Sequence, residues 1–168
     1  MAELTPMERL QPCLLDRLTD DEPEVQKESR DQRIISLRRY KRAVVRDLGV
    51  LLNSRNHPSE DPIYEFEEVL RSVLNFGIPD LCGTHILNIS PAEIEAKIRQ
   101  SVSYFEPRIS QDSLSIRMIY PKDSEYIRAV SFEIEGELWA QPLPDHLFIK
   151  TEVDLETGHY KLEGELNG

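Results

Sequence analysis

The 168 residues suffice for one domain of ordinary size, whose core needs no covalent staples. Only two cysteines occur, Cys13 and Cys82, and they lie too far apart to indicate a disulfide framework or a thiolate metal site. A formal net charge of −11 repels phosphate backbones and anionic lipid, so we expect no nucleic-acid partner and no direct membrane insertion.

The sequence contains neither a membrane-span signal nor a familiar catalytic motif. No apolar run approaches the roughly 20 residues that cross a bilayer, and the N-terminus lacks the order of a secretory signal. The histidines are scattered, without metal-ligand spacing. There is no glycine-rich phosphate loop and no nucleophile motif. We therefore expect a cytoplasmic protein that holds no metal or cofactor and is not an enzyme.

Residues 1–32 are predicted to form a flexible N-terminal segment that contains one short amphipathic helix. Four leucines recur there at helical spacing: Leu10, Leu14, Leu15 and Leu18. A helix of under about a dozen residues is marginal in water, so this one needs the rest of the domain or a partner to lie against. The acidic residues 20–29, which include Pro23, follow as a linker.

Residues 33–53 have the pattern of a long helix. Its apolar positions recur at helical spacing: Ile34, Leu37, Val44, Val45, Leu48, Leu51 and Leu52. Basic residues crowd the same part of the chain: Arg30, Arg33, Arg38, Arg39, Lys41, Arg42 and Arg46. This basic face is either a solvated surface or a surface for a protein partner. Turn-forming residues 56–59 end the helix.

A shorter helix is predicted to begin near Tyr64 and to end at Gly77. The glycine can take the left-handed conformation of a helix cap, and Pro79 blocks continuation.

The third helix has a clearer start, because Ser90 can cap it, Pro91 suits the first position, and Glu93 can reach back to close a capping box. Its buried stripe is Ile94, Ile98, Val102 and Phe105. The helix must stop at Glu106 because Pro107 follows.

After Ile109 the apolar period changes from helical to alternating, which predicts strands with one wet face. The alternating residues fall into three groups: Leu114, Ile116, Met118 and Tyr120; Val130, Phe132, Ile134, Gly136 and Leu138; and Leu147, Ile149, Val153 and Leu155. Residues 156–159 supply a hairpin turn into a last strand. The sequence thus predicts an α+β fold, with N-terminal helices packed on one face of a C-terminal antiparallel β-sheet.

Glu106, Pro107 and Arg108 place opposite charges at the junction between the third helix and the sheet, with proline fixing the backbone between them. One interpretation is an internal ion pair, and removing one partner of a buried pair destabilises a protein by roughly 3 to 5 kcal/mol. The other interpretation is a charged prong presented to another subunit. The residues alone leave both open.

Three runs of residues resemble motifs of one family. Residues 9–20 resemble the N-terminal signature of TssE proteins, the baseplate subunits of bacterial type VI secretion systems, and residues 72–81 are similar to their central motif. Residues 105–108 match the Glu-Pro-Arg motif shared with baseplate wedge relatives in contractile phage tails. On these motifs, residues 33–168 resemble a baseplate wedge-like α+β domain.

The resemblance implies a structural wedge subunit at the cytoplasmic side of the inner membrane. The implied partners are the wedge components TssF and TssG, with TssK as a further candidate, and the sheath subunits TssB and TssC. The subunit would template sheath polymerisation by accepting a strand at an open sheet edge. The implied partner-binding residues are Glu106, Pro107, Arg108, Leu14, Leu15 and Leu18.

The phage relatives also raise an alternative, a peptidoglycan-cleaving lysozyme-like enzyme with Glu106 as general acid. A glutamate beside an arginine at a helix end is placed to remain charged, whereas an acid catalyst needs surroundings that favour its protonated form. We therefore expect the structural role.

Overall fold

A computed structural model describes most of the chain: residues 12–19, 23–24, 36–58, 60–82, 90–119, 128–139 and 144–164, without the side chains of 163 and 164. The helices and strands are α1 (Leu14–Leu18), α2 (Leu37–Leu52), α3 (Glu67–Leu70), α4 (Pro91–Phe105), β1 (Ser115–Ile119), β2 (Ala129–Leu138), β3 (Asp145–Asp154) and β4 (Tyr160–Gly164). Helices come first and an antiparallel sheet follows, so the predicted α+β fold is confirmed.

The four strands form a meander in the order β1-β2-β3-β4, each antiparallel to its neighbour. Alternate residues of β2, among them Val130, Phe132 and Ile134, are buried in one core together with residues of α2 and α4. The predicted turn before β4 is present, with Gly158 at a φ of +69°. The core therefore lies between the two long helices and one face of the sheet.

Helix α2 is tied to the domain at its C-terminal end. The Ser36 side chain caps its start by accepting from the Arg39 N–H at 3.3 Å. At its end, the Asn53 side chain accepts from the backbone N–H of Tyr160 and donates to its carbonyl, both at 3.0 Å. The predicted long helix is confirmed over Leu37–Leu52, and its first predicted residues, 33–35, lie outside the described residues.

Helix α4 has the predicted boundaries but not the predicted capping box. The Ser90 side chain makes no cap hydrogen bond, and only its backbone carbonyl accepts from the Glu93 N–H, at 2.9 Å. The Glu93 carboxylate pairs instead with Lys97, one turn further on, at 3.1 Å. This exposed pair stabilises the helix surface and takes the carboxylate away from the cap.

The helix predicted from Tyr64 to Gly77 is wrong, because this part of the chain, residues 60–77, is broken into three short pieces. A 3-10 turn at Pro62–Glu65 precedes α3, and a second 3-10 turn at Val73–Asn75 follows it. The Asp61 and Ser72 side chains accept from backbone N–H groups two residues further on, at 3.0 and 3.3 Å. Each of these hydrogen bonds caps the start of a new 3-10 turn. Gly77 does have a positive φ, of +132°, but it follows the second 3-10 turn and does not end a long helix.

The predicted N-terminal helix is present as α1, five residues long and without a buried residue. Leu10 and the predicted linker at 20–29, apart from residues 23 and 24, lie outside the described part of the chain. Across the described ranges, no helix is long and apolar enough to cross a membrane.

Candidate functional site

The Glu-Pro-Arg turn is the joint between α4 and the sheet. Glu106 closes the helix by donating its N–H to the Val102 carbonyl at 2.8 Å. Two residues beyond the exposed Pro107, Ile109 forms a bridge to Leu138 at the end of β2. The turn is thus held by backbone contacts on both sides.

Glu106 and Arg108 pair with each other. Oε1 of Glu106 accepts from the backbone N–H of Arg108 at 3.2 Å and from its Nε at 2.7 Å, and Oε2 accepts from Nη2. Glu106 is 3% exposed, whereas the Arg108 side chain is 20% exposed. Of the two arrangements that the sequence leaves open, this structure has the internal ion pair, with the guanidinium as its accessible side.

Arg108 also holds a carboxylate from α2. Its Nη2 donates to Oδ2 of Asp47 at 2.7 Å, and Oδ1 of Asp47 accepts from Nε of Arg46 at 2.8 Å. Nη1 of Arg46 in turn donates to Oδ1 of Asp16 in α1 at 2.5 Å. These five side chains alternate in charge and form a charge ladder: Glu106, Arg108, Asp47, Arg46 and Asp16.

The ladder moves the pKa values of Arg108 and Asp16 in the direction that favours their charged forms. Burial alone would lower the pKa of Arg108, but its hydrogen bonds and attraction to Glu106, followed by those to Asp47, outweigh this and raise the pKa. Burial likewise works to raise the pKa of Asp16, but its hydrogen bonds with Arg46 and Cys13 leave that pKa below the usual value. Opposite charges are thus already matched within the protein.

The predicted leucine anchor is connected to the Glu-Pro-Arg turn through this ladder. Asp16 lies between the leucines on α1, and Leu14, Leu15 and Leu18 are 72%, 55% and 75% exposed. The thiol of Cys13 donates to Oδ2 of Asp16 at 2.9 Å, which fixes the carboxylate beside Arg46. The leucines of α1 therefore lie at one end of the charge ladder, and the Glu-Pro-Arg turn lies at the other.

The chain matches the family model described as "Baseplate wedge protein gp25" over residues 38–143. The chain belongs to this family. Neither the comparison with curated proteins nor that with solved structures gave a match. The gp25 family is the one to which TssE belongs, so the predicted resemblance is confirmed at the level of the family. The matched residues contain the Glu-Pro-Arg turn but not the leucines of α1.

The gp25 family is structural rather than catalytic, and its members assemble with other baseplate proteins in phage-tail-like machines. The geometry of Glu106 agrees with this. A general acid must come within hydrogen-bond reach of the substrate, but both oxygens of this buried carboxylate accept from Arg108. A cavity of about 340 Å³, lined in part by His57, Pro79 and Lys97, is not lined by Glu106. Among the described residues, no cluster of His, Cys, Asp or Glu could hold a metal ion.

Two residues of this site were missed by the sequence reasoning. Asp47 is the one carboxylate in the otherwise basic α2, and that contrast is the signal that could have found it. Trp139 is the only tryptophan in the chain, and its backbone N–H donates to the backbone carbonyl of Arg108 at 2.7 Å. Its position directly after β2 could have drawn attention to it.

Proposed function

We propose that this gp25-family protein is a TssE-type wedge subunit of a type VI secretion baseplate, binding TssF and TssG, with TssK as a further candidate. The observation that carries the wedge role is the Glu-Pro-Arg turn itself, and the TssE type rests on the resemblance of residues 9–20. Pro107 is exposed and Arg108 partly exposed on a turn that the buried Glu106 and the partly exposed Asp47 hold in place. Such preorganised groups lose little conformational entropy when a partner binds.

In this proposal the three residues have different tasks. Glu106 orients Arg108 from its buried position, and Pro107 and the guanidinium of Arg108 meet the wedge. Leu14, Leu15 and Leu18 are a second anchor, because their apolar side chains lie in solvent and bury surface only when a partner covers them. Asp16 holds this anchor near the domain until the partner arrives.

The proposal also assigns the sheet as template for the sheath subunits TssB and TssC. In the described part of the chain, β1 and β4 each pair on one side only, and β1 covers five of the ten residues of β2. An edge strand presents unpaired N–H and carbonyl groups to which an incoming strand can add. This would extend the ladder of hydrogen bonds into the first sheath layer on the cytoplasmic side of the inner membrane.

A pull-down of TssF and TssG from cells tests the proposal, with circular dichroism of each variant to confirm folding. Wild type should capture both proteins. Pro107→Ala and Glu106→Ala should capture less, because one removes the exposed contact and the other frees Arg108 on its buried side. The control is Arg71→Ala, which breaks the exposed Arg71–Glu67 pair, 2.5 Å long, outside the ladder. Failure of the wild type to capture either protein would refute the baseplate role.

The proposed role includes no catalytic step. Wild type should therefore leave purified peptidoglycan intact at neutral and mildly acidic pH. Hydrolysis that Glu106→Gln abolishes, while wedge capture persists, would instead establish the lysozyme-like alternative.

A further inference from the structure

Trp139 is fixed by its backbone at the Glu-Pro-Arg turn, while its side chain lies in solvent. Its N–H donates to the Arg108 carbonyl at 2.7 Å, and its carbonyl accepts from the Tyr40 hydroxyl at 3.2 Å. Burial raises the pKa of Tyr40, which keeps that hydroxyl protonated as a donor. The Trp139 side chain is nevertheless 58% exposed. A large indole is thus held at a defined place without being part of the core.

The first two turns of α2 lie beside this tryptophan. Tyr40 reaches its carbonyl, and Lys41 pairs at 2.7 Å with Asp145, the residue of β3 opposite Leu138. These turns carry only basic charges: Arg38, Arg39, Lys41 and Arg42. Arg38 and Arg42, four residues apart, are both exposed, so the chain is locally cationic here although its net charge is −11.

We propose that Trp139 is the apolar anchor of the wedge-binding surface, and that it inserts into an apolar pocket of a partner segment rich in carboxylates. The proposal rests on the proposed baseplate function and deepens it, since it states what the partner must offer at this site. Tryptophan and arginine dominate the binding energy of interfaces when they are buried in the complex. Here an exposed tryptophan is bound through its backbone N–H to the carbonyl of Arg108, the residue that follows the exposed Pro107.

The charges decide which class of partner fits. The arginines at the start of α2 attract carboxylates, and complementary charge raises the association rate and orients the partner. A nucleic acid would meet this patch too, but the rest of the protein, with its net charge of −11, repels a phosphate backbone. A folded protein segment with an apolar pocket and an acidic rim matches both the tryptophan and the patch.

The single tryptophan of the chain makes the test direct. The probe is purified TssF and TssG in which every tryptophan is replaced by 4-fluorotryptophan, which is almost non-fluorescent. Mixing them with the full-length chain should shift the Trp139 emission to the blue as the indole leaves water. Trp139→Ala should keep the wild-type circular dichroism, since its backbone contacts remain, and should weaken wedge binding about 30-fold or more. Trp139→Phe should recover part of that loss.

Phe66→Ala is the matched control, because Phe66 is similarly exposed, at 60%, and lies in residues 60–77 rather than at the turn. It should bind the wedge like wild type. Wild-type wedge capture with unchanged Trp139 emission, and with Trp139→Ala binding equally well, would overturn this inference and leave the baseplate role standing. An equal emission shift with duplex DNA would overturn the choice of partner. No capture by wild type would reject the baseplate role itself.

Discussion

Arg108 holds two carboxylates that come from different parts of the chain. One is Glu106, two residues away, and the other is Asp47, 61 residues away in α2. An arginine suits both, because its planar guanidinium offers several donors in a fixed fork. At the scale of single residues the Glu-Pro-Arg motif therefore stabilises the fold by joining the end of α4 to α2. The same geometry leaves Pro107 exposed and Arg108 partly exposed.

Replacing Arg108 should be the most damaging change in the ladder. Arg108→Ala leaves the buried Glu106 without its cation, so we expect the free energy of unfolding to fall by roughly 3 to 5 kcal/mol in a urea titration. Arg71→Ala, which breaks an exposed pair and removes a guanidinium lying over the Tyr104 ring, should lower it much less. Similar small losses in both variants would mean that the buried pair adds little to stability.

The Asp16–Arg46 contact should respond to acid. Because the pKa of Asp16 is lowered in the folded protein, the contact stabilises fully above the usual Asp pKa of about 3.9 and loses this effect as the pH falls through the lower folded value. NMR titration of the Asp16 carboxyl carbon should therefore give a midpoint below 3.9. Arg46→Ala should bring that midpoint back toward 3.9, and an unmoved midpoint would contradict the role of Arg46.

At the scale of elements, the sequence predicted best where a local pattern and the packing agree. The apolar stripe of α2, the proline at the first position of α4 and the alternation of β2 each reappear as a buried face or a boundary. The predicted capping box failed because Glu93 pairs with Lys97 and not with the helix start. The predicted second helix failed because side chains such as Asp61 cap short 3-10 turns. Such choices depend on small differences in free energy that periodicity does not contain.

The site was only partly predictable for a related reason. The sequence motif indicated Glu106 and Arg108, but the pairing of Arg108 with Asp47 and the hydrogen bond from Tyr40 to Trp139 are long-range contacts. They join α2 to the residues that follow α4 and β2. No spacing along the chain specifies them. Only the isolated carboxylate in a basic helix hinted at such a contact.

Gly77 lies against the backbone of Ser54 and Arg55, just after the end of α2, and this position should tolerate no side chain. Its φ is +132°, and an added Cβ would lie 2.6 Å from the Ser54 carbonyl oxygen, so Gly77→Ala should destabilise by at least about 1 to 3 kcal/mol. Gly49→Ala is the control, since its Cβ would meet only Leu162, at 3.8 Å, within a helix. In that variant the free energy of unfolding should rise by about 0.5 to 1 kcal/mol. Thermal unfolding of both proteins checks the contrast, and equal effects would refute it.

At the scale of the whole molecule, the described residues of the N-terminal segment contribute nothing to the buried core. The buried apolar cluster begins at Tyr40 in α2, and α1 contributes no residue to it. A chain of residues 33–168 should therefore unfold in one cooperative step, with a Tm within about 5 °C of the full chain, because the described ion pair that it loses, Asp16–Arg46, is partly exposed. Differential scanning calorimetry measures this, and a broad transition would show that 1–32 belongs to the folding unit.

The long pairing of β2 with β3 gives the sheet a preferred mechanical direction. The two strands face each other along their whole length, from Ala129 opposite Asp154 to Leu138 opposite Asp145. A force that slides one strand past the other stretches all of these hydrogen bonds together, whereas a force that peels β1 or β4 from an edge breaks them one after another. Tension along the strands thus acts against the stiffest direction of the sheet, whereas tension across an edge separates β1 or β4 first.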